Sequence, residues 1–159
     1  MGAGGRAAGH KDYSGTPLPK KLGIVEGSRV LVAGAPKSFS LPPLPSGVEL
    51  VERARSPLDV VLLFVTTRSE LSKRFAAPAR TLAPAGRLWV AWPKKTSGIA
   101  TDLTFEVVQG HGLEAGLVDN KSGSIDERYQ GLQFVYRIKD RPGRTASGRP
   151  ARSSGRSAS

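Results

Sequence analysis

The sequence predicts one α/β domain built on a mostly parallel sheet, and three observations predict it. Apolar runs rich in β-branched residues stand at 29–34 (RVLVAG), 48–52 (VELVE), 59–65 (DVVLLFV) and 88–92 (LWVAW), with Gly, Pro or Ser in the segments between them. The third run is apolar almost throughout, the pattern of a strand covered on both faces. After the third run, and again after the fourth, apolar residues recur at helical spacing.

The first strand, 29–34, follows the turn-rich stretch Gly23-Ile24-Val25-Glu26-Gly27 and ends in Gly34. The segment beyond it holds Pro36, Pro42, Pro43 and Pro45. Residues without an N–H leave little room for helix at that density, so the first crossover is expected to be irregular. The second strand, 48–52, lies between Ser46-Gly47 and Arg53. After the third strand, Thr67-Arg68-Ser69-Glu70 matches a capping box, with Thr67 as N-cap and Glu70 reaching back. Leu71, Phe75, Ala79 and Leu82 continue the helix, and Pro78 predicts a kink or early break. Ala83-Pro84-Ala85-Gly86 reads as the turn into the fourth strand, 88–92. The loop Pro93-Lys94-Lys95-Thr96-Ser97-Gly98 comes next. Thr101 or Asp102 then caps another helix, with Leu103 and Val107 on its buried face and Gly110 and Gly112 weakening its end. A fifth strand at 117–120 and a sixth at 132–138 (LQFVYRI) form a hairpin-like last pair, the final strand antiparallel. Strands alternating with helices in this order give a three-layer Rossmann-like α/β domain.

The chain has 159 residues, and segments 1–12 and 141–159 lack any hydrophobic period. Both are expected to be disordered tails, which leaves 13–140 as the domain. A core of that length buries roughly two thirds of the surface its unfolded chain exposes. Cysteine is absent, which removes disulfides, thiol nucleophiles and iron–sulfur clusters. No apolar h-region follows Arg6, and the longest apolar run is far short of the ~20 residues of a membrane span, so a cytoplasmic, membrane-free protein is expected. Of the net charge of +11, the 141–159 segment supplies +5 through five arginines and no acid. Such a tail could make weak nucleic-acid contacts through counterion release, or could be merely solubilising.

RVLVAG, PLDVVLLFV and LAPAGRLWVAWP together resemble class I S-adenosylmethionine-dependent methyltransferases. YSGTPLPKKLGI, LFVTTRSEL, WPKKTSGIATDLT and DERYQGLQFVYR resemble a bacterial family known as domain of unknown function 3052, over about four fifths of the chain. The resemblance implies a methyltransferase-like fold reduced by at least one strand–helix unit, with no activity to carry over. It also implies a cofactor loop at Gly34 and an acid for ribose hydroxyls at Glu52. Here that loop is Gly34-Ala35-Pro36-Lys37, one glycine and then a residue without an N–H donor. Glu52 beside Arg53 and Arg55 is equally readable as a surface charge pair. Where that family tends to have Trp, this chain has Tyr129.

In open α/β sheets, ligands collect beyond the carboxyl ends of the parallel strands. Each such end carries a cation here: Lys37, then Arg53 or Arg55, then Arg68, then Lys94 with Lys95. Thr66, Thr67, Thr96 and Ser97 add hydroxyls, and the helix start near Thr67 is expected to add free amides. Pro93 ends the fourth strand, Ser97-Gly98 permits a tight turn, and Thr101-Asp102 stands at the next helix start, Asp102 reading equally as a structural cap. The expected ligand-binding set is therefore Gly34, Lys37, Glu52, Thr66, Thr67, Arg68, Pro93, Lys94, Lys95, Ser97, Gly98, Thr101 and Asp102, around an anionic small molecule such as a nucleotide. The lysines pointing into solvent is the alternative. S-adenosylmethionine is possible but not favoured, because its net positive charge suits a cationic rim poorly. Asp126-Glu127 beside Arg128 reads as a solvated turn rather than a working carboxylate pair. His111 has no second core histidine, and no nucleophile–base pair emerges, so whether the chain is an enzyme stays open.

Overall fold

The computed structural model describes residues 16–137, so both expected tails lie outside the described residues. A six-stranded mixed sheet forms the centre, in the order β2-β1-β3-β4-β6-β5. The strands are β1 (Arg29–Ala33), β2 (Glu49–Val51), β3 (Leu58–Phe64), β4 (Leu82–Pro93), β5 (Leu117–Ser124) and β6 (Tyr129–Tyr136). The first four run parallel, and β6 pairs antiparallel with both β4 and β5. The helices are α1 (Leu18–Leu22), α2 (Arg68–Arg74), α3 (Ala76–Thr81) and α4 (Phe105–Glu114), with a 3-10 turn at Lys95–Ser97. Among the described residues no helix is long and apolar enough to cross a membrane.

The alternation of side chains along each strand builds two cores. On one face Leu31, Val61, Leu63, Leu88, Val90, Trp92, Leu132 and Phe134 meet Leu71 and Phe75 at α2 and Val108 of α4. On the other face Val30, Val60, Leu62, Phe64, Trp89 and Ala91 meet Leu22 of α1, Ile125 and Tyr129. Phe39, Leu41 and Leu44 of the proline-rich segment complete that second layer. No helix forms between Gly34 and Val48, as the four prolines predict. One layer is thus helical and the other largely irregular chain. Trp89 and Trp92, three residues apart on β4, point into opposite cores.

Three local expectations are corrected and one is borne out. The 83–86 stretch is not a free turn: β4 starts at Leu82, and three extra residues bulge out as its register moves from Leu58↔Leu82 to Val60↔Arg87. The helix after β3 breaks as Pro78 predicts, dividing at Phe75 into α2 and α3, where Pro78 leaves the Arg74 carbonyl without its N–H partner. The cap of α4 is Thr104, whose hydroxyl accepts from the Val107 N–H at 3.2 Å, and not Thr101 or Asp102. Gly112 does not fray α4; it lets the helix lie against the Phe134 ring.

Candidate functional site

The carboxyl ends of the parallel strands do carry the expected residues, but these residues do not form one rim. The amides around the start of α2, expected to be free for an anion, are taken by the protein's own side chains. The Thr66 N–H donates to Glu70 Oε1 at 2.7 Å, and the Thr66 hydroxyl donates to the same oxygen at 3.2 Å. The Thr67 hydroxyl accepts from the Glu70 N–H at 3.0 Å. The Arg68 N–H donates to Asp102 Oδ1 at 2.8 Å, and Arg68 Nε donates to the Asp102 carbonyl at 3.4 Å. Asp102 is therefore a cap, but of α2 rather than of the helix that follows it. Thr101 ties the same loops together, its hydroxyl donating to the Thr66 carbonyl and accepting from the Leu103 N–H.

These contacts shift Glu70. The Thr66 N–H, above all, holds its carboxyl below the ordinary glutamate range, and the Thr66 hydroxyl and the Arg74 guanidinium act in the same direction against a smaller desolvation effect. A carboxyl lowered in the folded state contributes stability above its unfolded value that is lost as pH falls through the folded value. Below the ordinary value of 4.5, the melting temperature of the native chain is expected to drop more steeply than that of Glu70→Gln, whose amide oxygen still accepts from Thr66. Parallel slopes in a melting series across that range would contradict this pairing.

Gly34 and Glu52 stand apart from Lys94 and Lys95. Gly34 takes φ +74°, and a Cβ there would lie 2.6 Å from the Phe64 carbonyl oxygen and 2.9 Å from Arg74 Nη1. A guanidinium thus lies across the glycine turn. Glu52 and Arg53 are exposed and line a shallow hollow of about 300 Å³ with Lys73 and Arg74. Lys37 and Arg55 are exposed and line neither this hollow nor the cleft below.

Lys94, Lys95 and Pro93 line a cleft of about 640 Å³ beyond the end of β4, between the start of α4 and the β5–β6 hairpin. Its apolar wall is Trp92, Leu103 and Phe105, the last 39% exposed. Its charged residues are the two lysines and Glu106. Ser97 and Gly98 shape the loop rather than the cleft. The Ser97 hydroxyl donates to the Lys94 carbonyl at 2.7 Å and accepts from the Ile99 N–H at 3.0 Å, and Gly98 takes φ +81°.

A residue not singled out from the sequence joins Lys94. Lys94 Nζ donates to the Ser124 hydroxyl at 2.8 Å, and Lys21 Nζ, from α1, donates to the Ser124 carbonyl at 3.1 Å. Two ammonium groups thus converge on one serine, and among the described residues neither has a carboxylate within ion-pair distance. Burial first, and then the Lys94 charge, push the Lys21 ammonium below its ordinary value. The signal for Lys21 lay in PLPKKLG, which carries a helix start and a glycine stop but no hint of a partner some hundred residues away.

Tyr129 is buried against Phe64, ring centres 5.1 Å apart, and Phe39 packs on Phe64 at 4.9 Å. These aromatics are wall and core of the second layer. Asp126 is a turn-former: its carboxylate accepts from the N–H groups of Arg128 and Tyr129 at 2.8 and 2.9 Å.

No family model matches the chain, and no curated protein matches it.

Proposed function

We propose that this chain binds a small anionic ligand with an apolar body in the cleft at the end of β4, on a reduced Rossmann-like fold related to domain of unknown function 3052. The observation that carries the reading is the convergence of Lys21 and Lys94 on Ser124 beside Lys95, unpaired with acid among the described residues. An ammonium is a compact point charge suited to phosphate or carboxylate. Trp92, Leu103 and Phe105 offer an apolar body its surface, as a nucleobase or similar ring requires. The position beyond a parallel strand end, and the order β2-β1-β3-β4 with an antiparallel β6 beyond it, support the Rossmann-like reading.

The S-adenosylmethionine reading gains no such support. The residues it needs, Gly34 and Glu52, are flanked by Arg53, Lys73 and Arg74, which repel a sulfonium.

The test is thermal shift of the full chain against mono- and dinucleotides, phosphosugars and S-adenosylmethionine. A ligand at a hundred times its dissociation constant stabilises by about 2.7 kcal/mol. Phosphorylated compounds are expected to raise the melting temperature, and S-adenosylmethionine to leave it unchanged. The double reversal Lys94→Glu, Lys95→Glu should abolish the shift while preserving the fold, since neither side chain is buried. Equal shifts in the reversed and native chains would sink the reading.

A further inference from the structure

We infer that Lys21 is a reactive amine, held beside Lys94 and Ser124 to condense with the carbonyl group of a small anionic aldehyde. The anionic part rests on the binding reading above; the amine rests on the cluster itself. Lys21 sits on a turn that is fixed from three sides. Leu22 next to it is fully buried, Trp89 Nε1 donates to the Leu22 carbonyl at 3.1 Å, and the Arg87 side chain lies against Gly23. The Ser124 carbonyl then fixes the far end of Lys21 and can accept from the amine in either protonation state.

Partial burial and the Lys94 charge favour the neutral amine. Lys94 faces it from the end of β4 through the same serine. Arg87 stands on β4 at the end of α1, and Lys20 is its exposed neighbour on α1. Asp126 in the hairpin turn is committed to the amides of Arg128 and Tyr129. Burial and a second cation are the two devices that make a lysine nucleophilic near neutral pH.

The chemistry is self-contained. Lys21 loses a proton to water and its lone pair attacks the carbonyl carbon, forming the N–C bond. The proton on nitrogen passes to the alkoxide oxygen, giving a carbinolamine. Loss of water breaks the C–O bond and leaves an imine; no oxidant or reductant takes part. Lys94 and Lys95 would hold the anionic group of the same molecule.

The first measurement is reductive methylation of the full chain with limiting formaldehyde and cyanoborohydride at about pH 8, below the ordinary lysine range, read site by site by mass spectrometry. Formaldehyde is neutral, so this arm does not depend on anion binding. Lys21 is expected to react several-fold ahead of exposed Lys20, and Lys94→Met, which removes the second cation but not the burial, to shrink that lead. A Lys21 no faster than Lys20, or a lead that Lys94→Met leaves undiminished, would overturn the inference. The second arm compares pyridoxal 5′-phosphate with pyridoxal, each trapped by borohydride. Preference of Lys21 for the phosphorylated aldehyde supports both parts. Equal trapping of the two at Lys21 overturns the anionic part, and with it the binding reading, while the amine stands. Failure of both to trap at Lys21 overturns the amine as well.

Discussion

Gly112→Ala is expected to melt several degrees below the native chain, whereas Gly110→Ala, on the same helix, should melt at or slightly above it. A methyl group at Gly112 would stand 2.1 Å from Phe134 Cε1 and 2.5 Å from Cδ1 and Cζ. The ring cannot swing away, because Phe134 is completely buried on β6 and meets Phe75 edge-on at 5.8 Å. Forcing a methylene-sized group into a packed core costs about 1–3 kcal/mol, and sometimes more. Replacing glycine inside a helix returns at most about 1 kcal/mol of backbone entropy and propensity. At Gly110 a Cβ meets nothing within 4 Å, so only the favourable effect remains. For a domain of this size each kcal/mol moves the midpoint by several degrees. Thermal melts of the two variants side by side check it. A Gly112→Ala chain as stable as the native one would mean that α4 does not rest on β6 in this way.

Those two glycines also show where sequence reading stops. Both look like the same weakness near a helix end; only the tertiary approach of Phe134 separates them. What was legible is what local pattern fixes. The largely apolar run read at 59–65 is the strand β3, Leu58–Phe64, buried on both faces, the Thr67–Glu70 pairing caps a helix, and the prolines after Gly34 exclude one. The hairpin was legible in kind but not in length. Its edge strand runs to Ser124 through Asn120 and Lys121, whose side chains stay exposed and leave no hydrophobic alternation to read.

At the site the same division holds. Lys94 and Lys95 follow a strand end directly, so their position at the mouth of a cleft was readable. The occupation of the Thr66 and Arg68 amides was not. Glu70 reaches one residue further back than the capping box predicts, and Asp102 arrives from the loop between β4 and α4. An anion site expected at free amides is thus filled by two carboxylates of the chain itself, and two cations that have no carboxylate partner among the described residues converge elsewhere, at Lys21 and Lys94.

The placement of Lys21 depends on a buried indole, and Trp89→Ala is expected to be among the most damaging single changes in the chain. Trp89 is 1% exposed between Leu62 and Gln133 on its sheet neighbours, and its Cε3 edge bounds the space at Gly131. Truncating a core tryptophan costs about 3–5 kcal/mol. Here it would also strip the Leu22 carbonyl of its donor, and a small domain has only about 5–15 kcal/mol in total. Trp89→Phe separates the two effects, since it keeps most of the apolar volume and removes the N–H. Leaving a buried acceptor without its partner costs about 1–3 kcal/mol. The expected order of denaturant midpoints is native, then Trp89→Phe, then Trp89→Ala. The phenylalanine variant carries a second expectation that a generic core defect would not: a folded chain in which α1 is no longer tied to β4, so that Lys21 leaves Ser124 and loses its lead over Lys20 in methylation. A Trp89→Phe chain that keeps both the native midpoint and that lead would show that the packing of Leu22 alone holds α1, with the indole hydrogen bond contributing nothing to the position of the amine.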